Sequence, residues 1–142
     1  MMRILAIDFG EKRIGLALSD PLGFTAQGLE TLQRQNMRQV IASIVDLVKK
    51  NDVSEIVVGL PVNMDGTKGF KAEEVMKFKS QLEPAAGVPV KTWDERLTSR
   101  EANRLMIEEG LSRKKQRENS DRLAATLILQ NYLEFCRPKG EL

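Results

Sequence analysis

The stretch RILAIDFGEKRIGLALS, residues 3–19, reads as two short apolar strands joined by a charged turn that contains a glycine. A short apolar run bounded by turn residues is typical of a strand buried on both faces. The first run ends at Asp8, and a carboxylate there is costly to desolvate unless a cation or hydrogen bonds meet it. Gly10 and Gly15 lack Cβ atoms and would let a metal ion, a phosphate or another backbone approach closely. The alternative is an ordinary hairpin in which Asp8 accepts hydrogen bonds from its own turn amides.

The composition narrows the chemistry open to this chain. Its 142 residues predict a single domain, residues 1–137, followed by a flexible tail at residues 138–142. The absence of histidine excludes Ser-His and Cys-His nucleophile pairs, histidine proton shuttles and zinc sites that need imidazole. The single Cys136, interpreted as a small hydrophobic residue at a helix end, excludes a disulfide framework and a thiolate zinc site within one chain. Carboxylates with a hard metal ion, lysine and backbone amides remain as catalytic groups.

The sequence also predicts where the protein works. The first apolar run stops at Asp8, too early for a signal peptide, and no run approaches the length of a membrane span. With a single thiol, this pattern predicts a cytoplasmic protein with no membrane partner. The net charge of +2 neither requires nor excludes a nucleic-acid partner.

The rest of the chain predicts a mixed α/β domain without repeats or linkers. A third strand is predicted at Phe24–Leu32, and two more at Glu55–Gly59 and Val88–Trp93. Helices are predicted between and after these strands: Asn36–Lys50 with Asn36 as N-cap, a segment carrying Ala72, Val75, Met76, Phe78 and Leu82 that Pro84 stops, a helix that begins after the capping box Thr98–Glu101 and fades at Gly110, and a last helix from Ser120. The polar, basic segment Ser112–Asn119 indicates a mobile loop or a frayed helix end.

Acidic residues end the first and last of the predicted strands. Asp8 ends the first, and Asp94 with Glu95 ends the last. Because ligands of such sheets bind outside the carboxyl ends of parallel strands, we expect these ends to meet at one edge. Asp121 is predicted in the first turn of the final helix, where the helix dipole alone would favour a carboxylate. The pair Asp94–Glu95 has an equally plain alternative, a solvated strand end with a local ion pair.

Four blocks of sequence together resemble, in order, the signature motifs of the YqgF family over the span Arg3–Glu134. The blocks are Asp8-Phe9-Gly10 with Arg13-Ile14-Gly15, Gly59-Leu60-Pro61 with Asp65-Gly66-Thr67, Asp94-Glu95-Arg96-Leu97-Thr98, and Asp121 with Ala124-Ala125 and Ile128-Leu129-Gln130. The resemblance implies a ribonuclease H-like fold, related to the RuvC resolvases. In this fold a mixed five-stranded sheet, three leading antiparallel strands followed by two parallel strands, is flanked by helices.

The resemblance also implies a function and a set of site residues. Members of the family are described as Holliday junction resolvases and as nucleases that process the 5′ end of pre-16S rRNA in ribosome biogenesis. By this resemblance, the metal-binding and catalytic acids are Asp8, Glu95 and Asp121. Asp94 is the reserve residue for the middle position, because one step along a strand reverses the face to which a side chain points. Three carboxylates at a sheet edge suit one or two Mg²⁺ or Mn²⁺ ions.

Basic residues near these acids are the predicted nucleic-acid contacts. They are Arg13, Arg96, Arg100, Lys114, Lys115 and Arg117. Arginine offers phosphate a bidentate fork, and lysine offers it a point charge. The alternative for the basic run is a solvated polar loop.

The sequence departs from the family pattern around the last acid. Ser120 replaces an apolar residue, and Arg122 stands where a small or apolar residue is common. RuvC resolvases carry a further acid three residues after the last one, where this chain has Ala124. Glu118 could compensate only if the last helix begins earlier than predicted.

Three other functions therefore stay open. A junction resolvase would cut DNA as a homodimer, whereas a nuclease for precursor rRNA could be a monomer or a homodimer acting on a pre-ribosomal particle. A ribosome-assembly module would bind nucleic acid without cleaving it. An Asp-x-Gly turn followed by a second strand also begins the fold of sugar kinases, actin and Hsp70, in which the turn binds ATP phosphates. Those proteins need a second lobe, for which 142 residues leave no room.

Overall fold

The computed structural model describes residues 3–63, 65–95 and 113–136, with residues 113–122 described by their backbone alone. Strands lead this part of the chain, and helices then alternate with strands. The elements are β1 (Arg3–Phe9), β2 (Arg13–Ser19), β3 (Ala26–Gln33), α1 (Met37–Lys50), β4 (Val53–Leu60), α2 (Phe70–Ala86), β5 (Val90–Asp94) and α3 (Arg113–Cys136).

The strands form one mixed sheet in the order β3-β2-β1-β4-β5. β1 pairs with β2, and β2 with β3, in antiparallel fashion, whereas β1 pairs with β4, and β4 with β5, in parallel. The predicted five-stranded arrangement is confirmed. Since β1, β4 and β5 run in the same direction, their last residues Phe9, Leu60 and Asp94 lie at one edge of the sheet, here called the carboxyl edge.

Helices cover both faces of the sheet, and each face has its own hydrophobic core. Leu5 and Ile7 of β1 face α1 and α2, where Ile44 and Phe78 are fully buried. Ile4 and Ala6, which alternate with them, face α3 and pack near Ile128. This alternation explains why β1 is apolar at successive positions, as its sequence predicts.

The first helix follows its sequence signals closely. The Asn36 side chain accepts a hydrogen bond of 2.9 Å from the Gln39 amide, so Asn36 is the N-cap as predicted. Val40, Ile44 and Val48, at helical spacing, are its buried residues. Local periodicity and capping were sufficient here because both depend on near neighbours in the chain.

The second helix differs from the prediction at its end and on its apolar face. Pro84 lies inside α2, which continues to Ala86. Proline removes only its own N–H, and the helix ends where Gly87, with φ of 70°, donates its amide to the Glu83 carbonyl at 3.1 Å. Met76, predicted on the apolar face, is 37% exposed, whereas Phe78 is fully buried.

Three strands also differ from the prediction in their bounds. β3 begins at Ala26 and not Phe24, because the Asp20 carboxylate accepts the amides of Phe24 and Thr25 at 2.7 and 2.8 Å and holds them in the turn. β4 is longer than predicted, and β5 is shifted to begin at Val90. The added residues Val53 and Leu60 are buried, so packing extends the strand beyond its most apolar part.

The last helix begins earlier than predicted. α3 starts at Arg113, so of the two alternatives for the segment Ser112–Asn119, a mobile loop or a frayed helix end, the structure favours the helix for residues 113–119; arginine, lysine, glutamine and glutamate are good helix formers. Asp121 stands eight positions after Arg113, more than two turns inside the helix, and the dipole explanation for a first-turn carboxylate no longer applies. Cys136 is the last residue of α3, at the helix end as predicted, and is exposed.

Several predictions fall outside the described residues. They are the capping box Thr98–Glu101, the helix fading at Gly110, the residues Arg96 and Arg100, and the tail at residues 138–142. Within the described part of the chain, no helix combines the length and the hydropathy needed to cross a bilayer.

Candidate active site

Asp8 lies near the end of β1, on the face of the sheet that α3 covers. It shares this face with Ile4 and Ala6, whereas its neighbour Phe9 points to the other side and stacks on Phe78 with ring centroids 4.4 Å apart. The strand therefore delivers an acid to the α3 face at the carboxyl edge, while an aromatic residue anchors the opposite face.

Glycines stand beside Asp8 on both neighbouring strands. Gly15 of β2 is its direct partner in the antiparallel register. On β4, Val58 pairs with Ile7, so Gly59 is the residue next to Asp8 in the parallel register. Side chains at such positions normally lie about 5 Å from their cross-strand neighbour. Because glycine has no side chain, the space beside Asp8 at these two positions is available to residues from other elements.

Glu95, directly after β5, fills part of this space. A Cβ atom placed on Gly59 would lie 2.6 Å from Glu95 Oε1 and 2.9 Å from Glu95 Cγ, so the Glu95 side chain passes closely over the Gly59 backbone. Its carboxyl group forms a hydrogen bond with that of Asp8. The structure thus brings together one acid from the first strand and one from the end of the last.

Glu95, and not the reserve residue Asp94, lies on the same face of the sheet as Asp8. In the register of β4 with β5, Trp93 pairs with Gly59, and Trp93 packs against the core under α3. Glu95 stands two residues after Trp93, whereas Asp94 lies on the same face as Val90, which belongs to the opposite core.

The Asp8–Glu95 pair is electrostatically strained without a cation. Burial raises the pKa of Asp8 well above its ordinary value, and the hydrogen bond and negative charge of Glu95 raise it further. Two carboxylates this close repel each other when both are charged. Carboxylate oxygens prefer hard ions such as Mg²⁺ and Mn²⁺, so a divalent cation held between the pair would relieve this repulsion.

The third predicted ligand is placed only by its backbone. The described side chains contain no group of three acids, cysteines or histidines that could hold a metal ion, and the side chain of Asp121 is not among them. The helix itself is well positioned. Ile128 of α3 lies over Gly59, whose added Cβ would be 2.7 Å from Ile128 Cδ1, and the Tyr132 hydroxyl donates to the Glu55 carboxylate.

These two contacts define the direction of α3. Ile128 contacts Gly59, and Tyr132, one turn later, contacts Glu55, which precedes Gly59 in β4. The helix therefore runs antiparallel to β4, and the residues before Ile128 extend towards the carboxyl edge. Position 121 lies seven residues before Ile128, about 10.5 Å along the axis and nearly on the same side of the helix. Glu118 stands one turn further, within the helix, which meets the condition under which it could supplement Asp121.

Among the predicted nucleic-acid contacts, the structure places one side chain. Ile14 faces the core under α1 and α2, so its neighbour Arg13 lies on the opposite face of the sheet, together with Gly15 and Asp8. Lys114, Lys115 and Arg117 stand in the first turns of α3 by their backbone.

Two residues at the site were missed by the sequence analysis. Gly59 was noted only as a strand end, although its motif was quoted. Arg34 carried no sequence signal: its guanidinium donates to the Gly10 carbonyl at 3.0 Å, pairs with Glu74 at 3.0 Å and lies 4.4 Å from the centre of the Phe9 ring. It ties the turn after Asp8 to α2. The Gly10 amide donates to the Arg13 carbonyl at 3.1 Å and closes that turn.

Comparison with known families and proteins finds close similarity over nearly the whole chain. The model of a family described as RuvX, Holliday junction resolvase, matches residues 2–135. A Clostridium acetobutylicum protein is 54% identical over 132 residues, which cover 93% of this chain and 98% of that protein. A Moorella thermoacetica protein is 50% identical over 139 residues, covering 98% and 99% of the two chains. Both relatives carry the name "Putative pre-16S rRNA nuclease".

Solved structures of junction resolvases have the same fold. Thermus thermophilus RuvC in complex with a Holliday junction superposes with a TM-score of 0.61 at 18% identity, over 95% of this chain and 96% of that one. The Fowlpox virus resolvase bound to junction DNA superposes with a TM-score of 0.56 at 14% identity, over 96% and 100%.

Proposed function

Since the chain belongs to the RuvX family of resolvase-like nucleases, we propose that it is a metal-dependent nuclease that hydrolyses phosphodiester bonds at the 5′ end of pre-16S rRNA. The observation that carries the proposal is the position of the Glu95 side chain, which passes over Gly59 beside Asp8 and so brings two acids together at the carboxyl edge. A half-buried acid pair beside two glycines has no evident role in folding, because its partial burial and mutual repulsion destabilise the fold. It suits an enzyme that binds a cation and a phosphate there.

We propose Asp8, Glu95 and Asp121 as the residues that hold one or two Mg²⁺ or Mn²⁺ ions. When bound, such an ion supplies positive charge for the phosphate and makes water a stronger nucleophile at neutral pH. With such an ion bound, Asp8 and Glu95 would be its ligands, and the position of the Glu95 side chain over Gly59 would hold its carboxylate next to Asp8. From the helical repeat we expect position 121 to extend towards the same edge, on the α3 face of the sheet where Asp8 and Glu95 lie.

The remaining residues of the site are suited to hold the substrate. Arg13, on the face of Asp8, can pair with nonbridging phosphate oxygens through its bidentate guanidinium. Arg96 and Arg100 are proposed for the same task from their sequence positions. We propose that Gly15, which pairs with Asp8 and has no side chain, is the point at which a phosphate approaches the acids. Substrate binding thus depends on the phosphate backbone and its shape more than on base identity.

Cleavage of junction DNA is the second candidate function. It is favoured by the family description and by the fold, which is shared with two resolvases whose structures contain a Holliday junction. Close relatives named for pre-16S rRNA favour the first candidate because they are about half identical over the whole chain. Symmetric junction cutting requires a homodimer, whereas processing one RNA end requires one site. We therefore propose a monomer acting on a pre-ribosomal particle in the cytoplasm.

A side-by-side cleavage assay tests the proposed function. The substrates are a precursor 16S rRNA with its 5′ extension, a four-way DNA junction and single strands, each with Mg²⁺, Mn²⁺ or EDTA. We expect metal-dependent cleavage of the precursor at its 5′ end and no cleavage in EDTA. Faster cutting of the junction would favour the resolvase, and binding of RNA without cleavage in either metal would favour the non-catalytic module.

Neutralising the basic start of α3 should weaken substrate binding. The variant Lys114→Gln/Lys115→Gln removes two charges from the first turn of α3, and each lost phosphate contact should flatten the salt dependence of log K by about 0.7–0.9. Binding is measured by filter retention between low and moderate salt. The matched control is Lys49→Gln/Lys50→Gln at the end of α1, next to Asn51, which contacts Arg3 at the opposite edge of the sheet. Equal effects of the two variants would contradict a specific role for α3.

A further inference from the structure

The backbone of Gly59 is enclosed on the α3 side by two side chains. A Cβ atom built there would lie 2.6 Å from Glu95 Oε1, 2.9 Å from Glu95 Cγ and 2.7 Å from Ile128 Cδ1. Real Cβ atoms essentially never come within 3.0 Å of such neighbours. Any residue other than glycine at this position therefore requires Glu95 or Ile128 to move.

Glu95 is the side chain that can move more easily. Ile128 is fully buried in the core between α3 and the sheet, where close packing opposes displacement. The Glu95 carboxylate is at the end of a flexible side chain with three rotatable bonds, just after the last residue of β5. A larger residue at position 59 would turn this carboxylate away from the sheet and so break its contact with Asp8.

We propose that Gly59 is a positioning residue for the nuclease reaction: because it has no side chain, the Glu95 carboxylate can pass over its Cα and reach Asp8. This inference rests on the proposed function, because it assumes that Glu95 and Asp8 act as a pair of metal ligands. Gly59 contacts neither metal nor substrate and acts through Glu95. It explains why a buried strand that is otherwise rich in β-branched residues has a glycine next to Asp8.

The test is the variant Gly59→Ala together with the double variant Gly59→Ala/Ile128→Val. Valine lacks Cδ1, so the double variant removes the clash with α3 and leaves only the clash with Glu95. Val58→Ala is the matched control, because Val58 is fully buried in the same strand but faces α1 and α2. Folding is checked by circular dichroism, Mn²⁺ affinity by electron paramagnetic resonance on protein without RNA, and cleavage by steady-state kinetics.

We expect the double variant to be folded but to bind Mn²⁺ about 10–100-fold more weakly, with a similar loss in kcat and an unchanged KM for RNA. Val58→Ala should lose stability while its Mn²⁺ affinity and kcat stay at the wild-type level. A folded double variant with wild-type Mn²⁺ affinity would overturn the role of Gly59, even if the wild-type enzyme cleaves RNA. Absence of cleavage by the wild type would instead refute the proposed function, and the Mn²⁺ measurement would still report on Gly59.

Discussion

The single variants Asp8→Asn, Glu95→Gln and Asp121→Asn should each lose metal-dependent cleavage by at least about 10²–10³-fold, the loss typical of removing one group that stabilises developing charge. Each change replaces a carboxylate with an amide of the same size and so removes a charged metal ligand without creating a cavity. Cleavage is measured with saturating Mg²⁺ and Mn²⁺. The three acids come from distant parts of the chain, and only a shared site makes their losses alike.

The same variants should separate activity from stability. Because the pKa of Asp8 is raised in the folded protein, its charged form destabilises the fold above the pKa of the unfolded chain. In EDTA at pH 8, Asp8→Asn should therefore raise the melting temperature while cleavage is lost. This combination is expected when a strained charge is retained for function.

Asp94→Asn is the matched control for Glu95→Gln. It changes the same net charge one residue earlier, on the opposite face of β5. We expect it to retain most of the wild-type rate. Loss of cleavage in Asp94→Asn with retention in Glu95→Gln would assign the middle ligand to the reserve residue, and a triple acid variant that cuts at the wild-type rate would refute the site altogether.

The variant Phe78→Ala should lower the free energy of unfolding by about 3–5 kcal/mol, the usual cost of removing a buried aromatic side chain. Phe78 is fully buried under the sheet and stacks on Phe9, which follows Asp8. Arg34 covers the other side of the Phe9 ring and ties it to the turn. The stability is measured by urea unfolding without metal.

Met76→Ala in the same helix is the control for this cavity. Met76 is 37% exposed, so its truncation should cost below about 1 kcal/mol. The sequence pattern treats both residues as core residues of α2, and only Phe78 fills the space under β1. Similar losses in the two variants would show that helix propensity, and not burial, determines the effect.

Sequence patterns were reliable where the decisive interactions are local. The helix Met37–Lys50 follows from the spacing of its apolar residues and from Asn36, whose cap bond reaches only three residues ahead. The strands β1 and β2 follow from two apolar runs around one turn. Pro84 and the basic residues after Arg113 misled the prediction because their local preferences do not determine where a packed helix ends or begins.

By itself, the sequence determined which chemistry this protein can use. A chain with no histidine and one cysteine is left with carboxylates that hold a hard metal ion, lysine and backbone amides, and Asp8 at the end of a buried strand marks the first of the carboxylates. Only the tertiary structure decided that Glu95 joins Asp8, that Gly59 leaves room for it, and that Arg34 holds the adjoining turn. The physical reason is strand register: a shift of one residue between β4 and β5 would reverse the faces of Asp94 and Glu95, and register is set by packing between segments far apart in the chain.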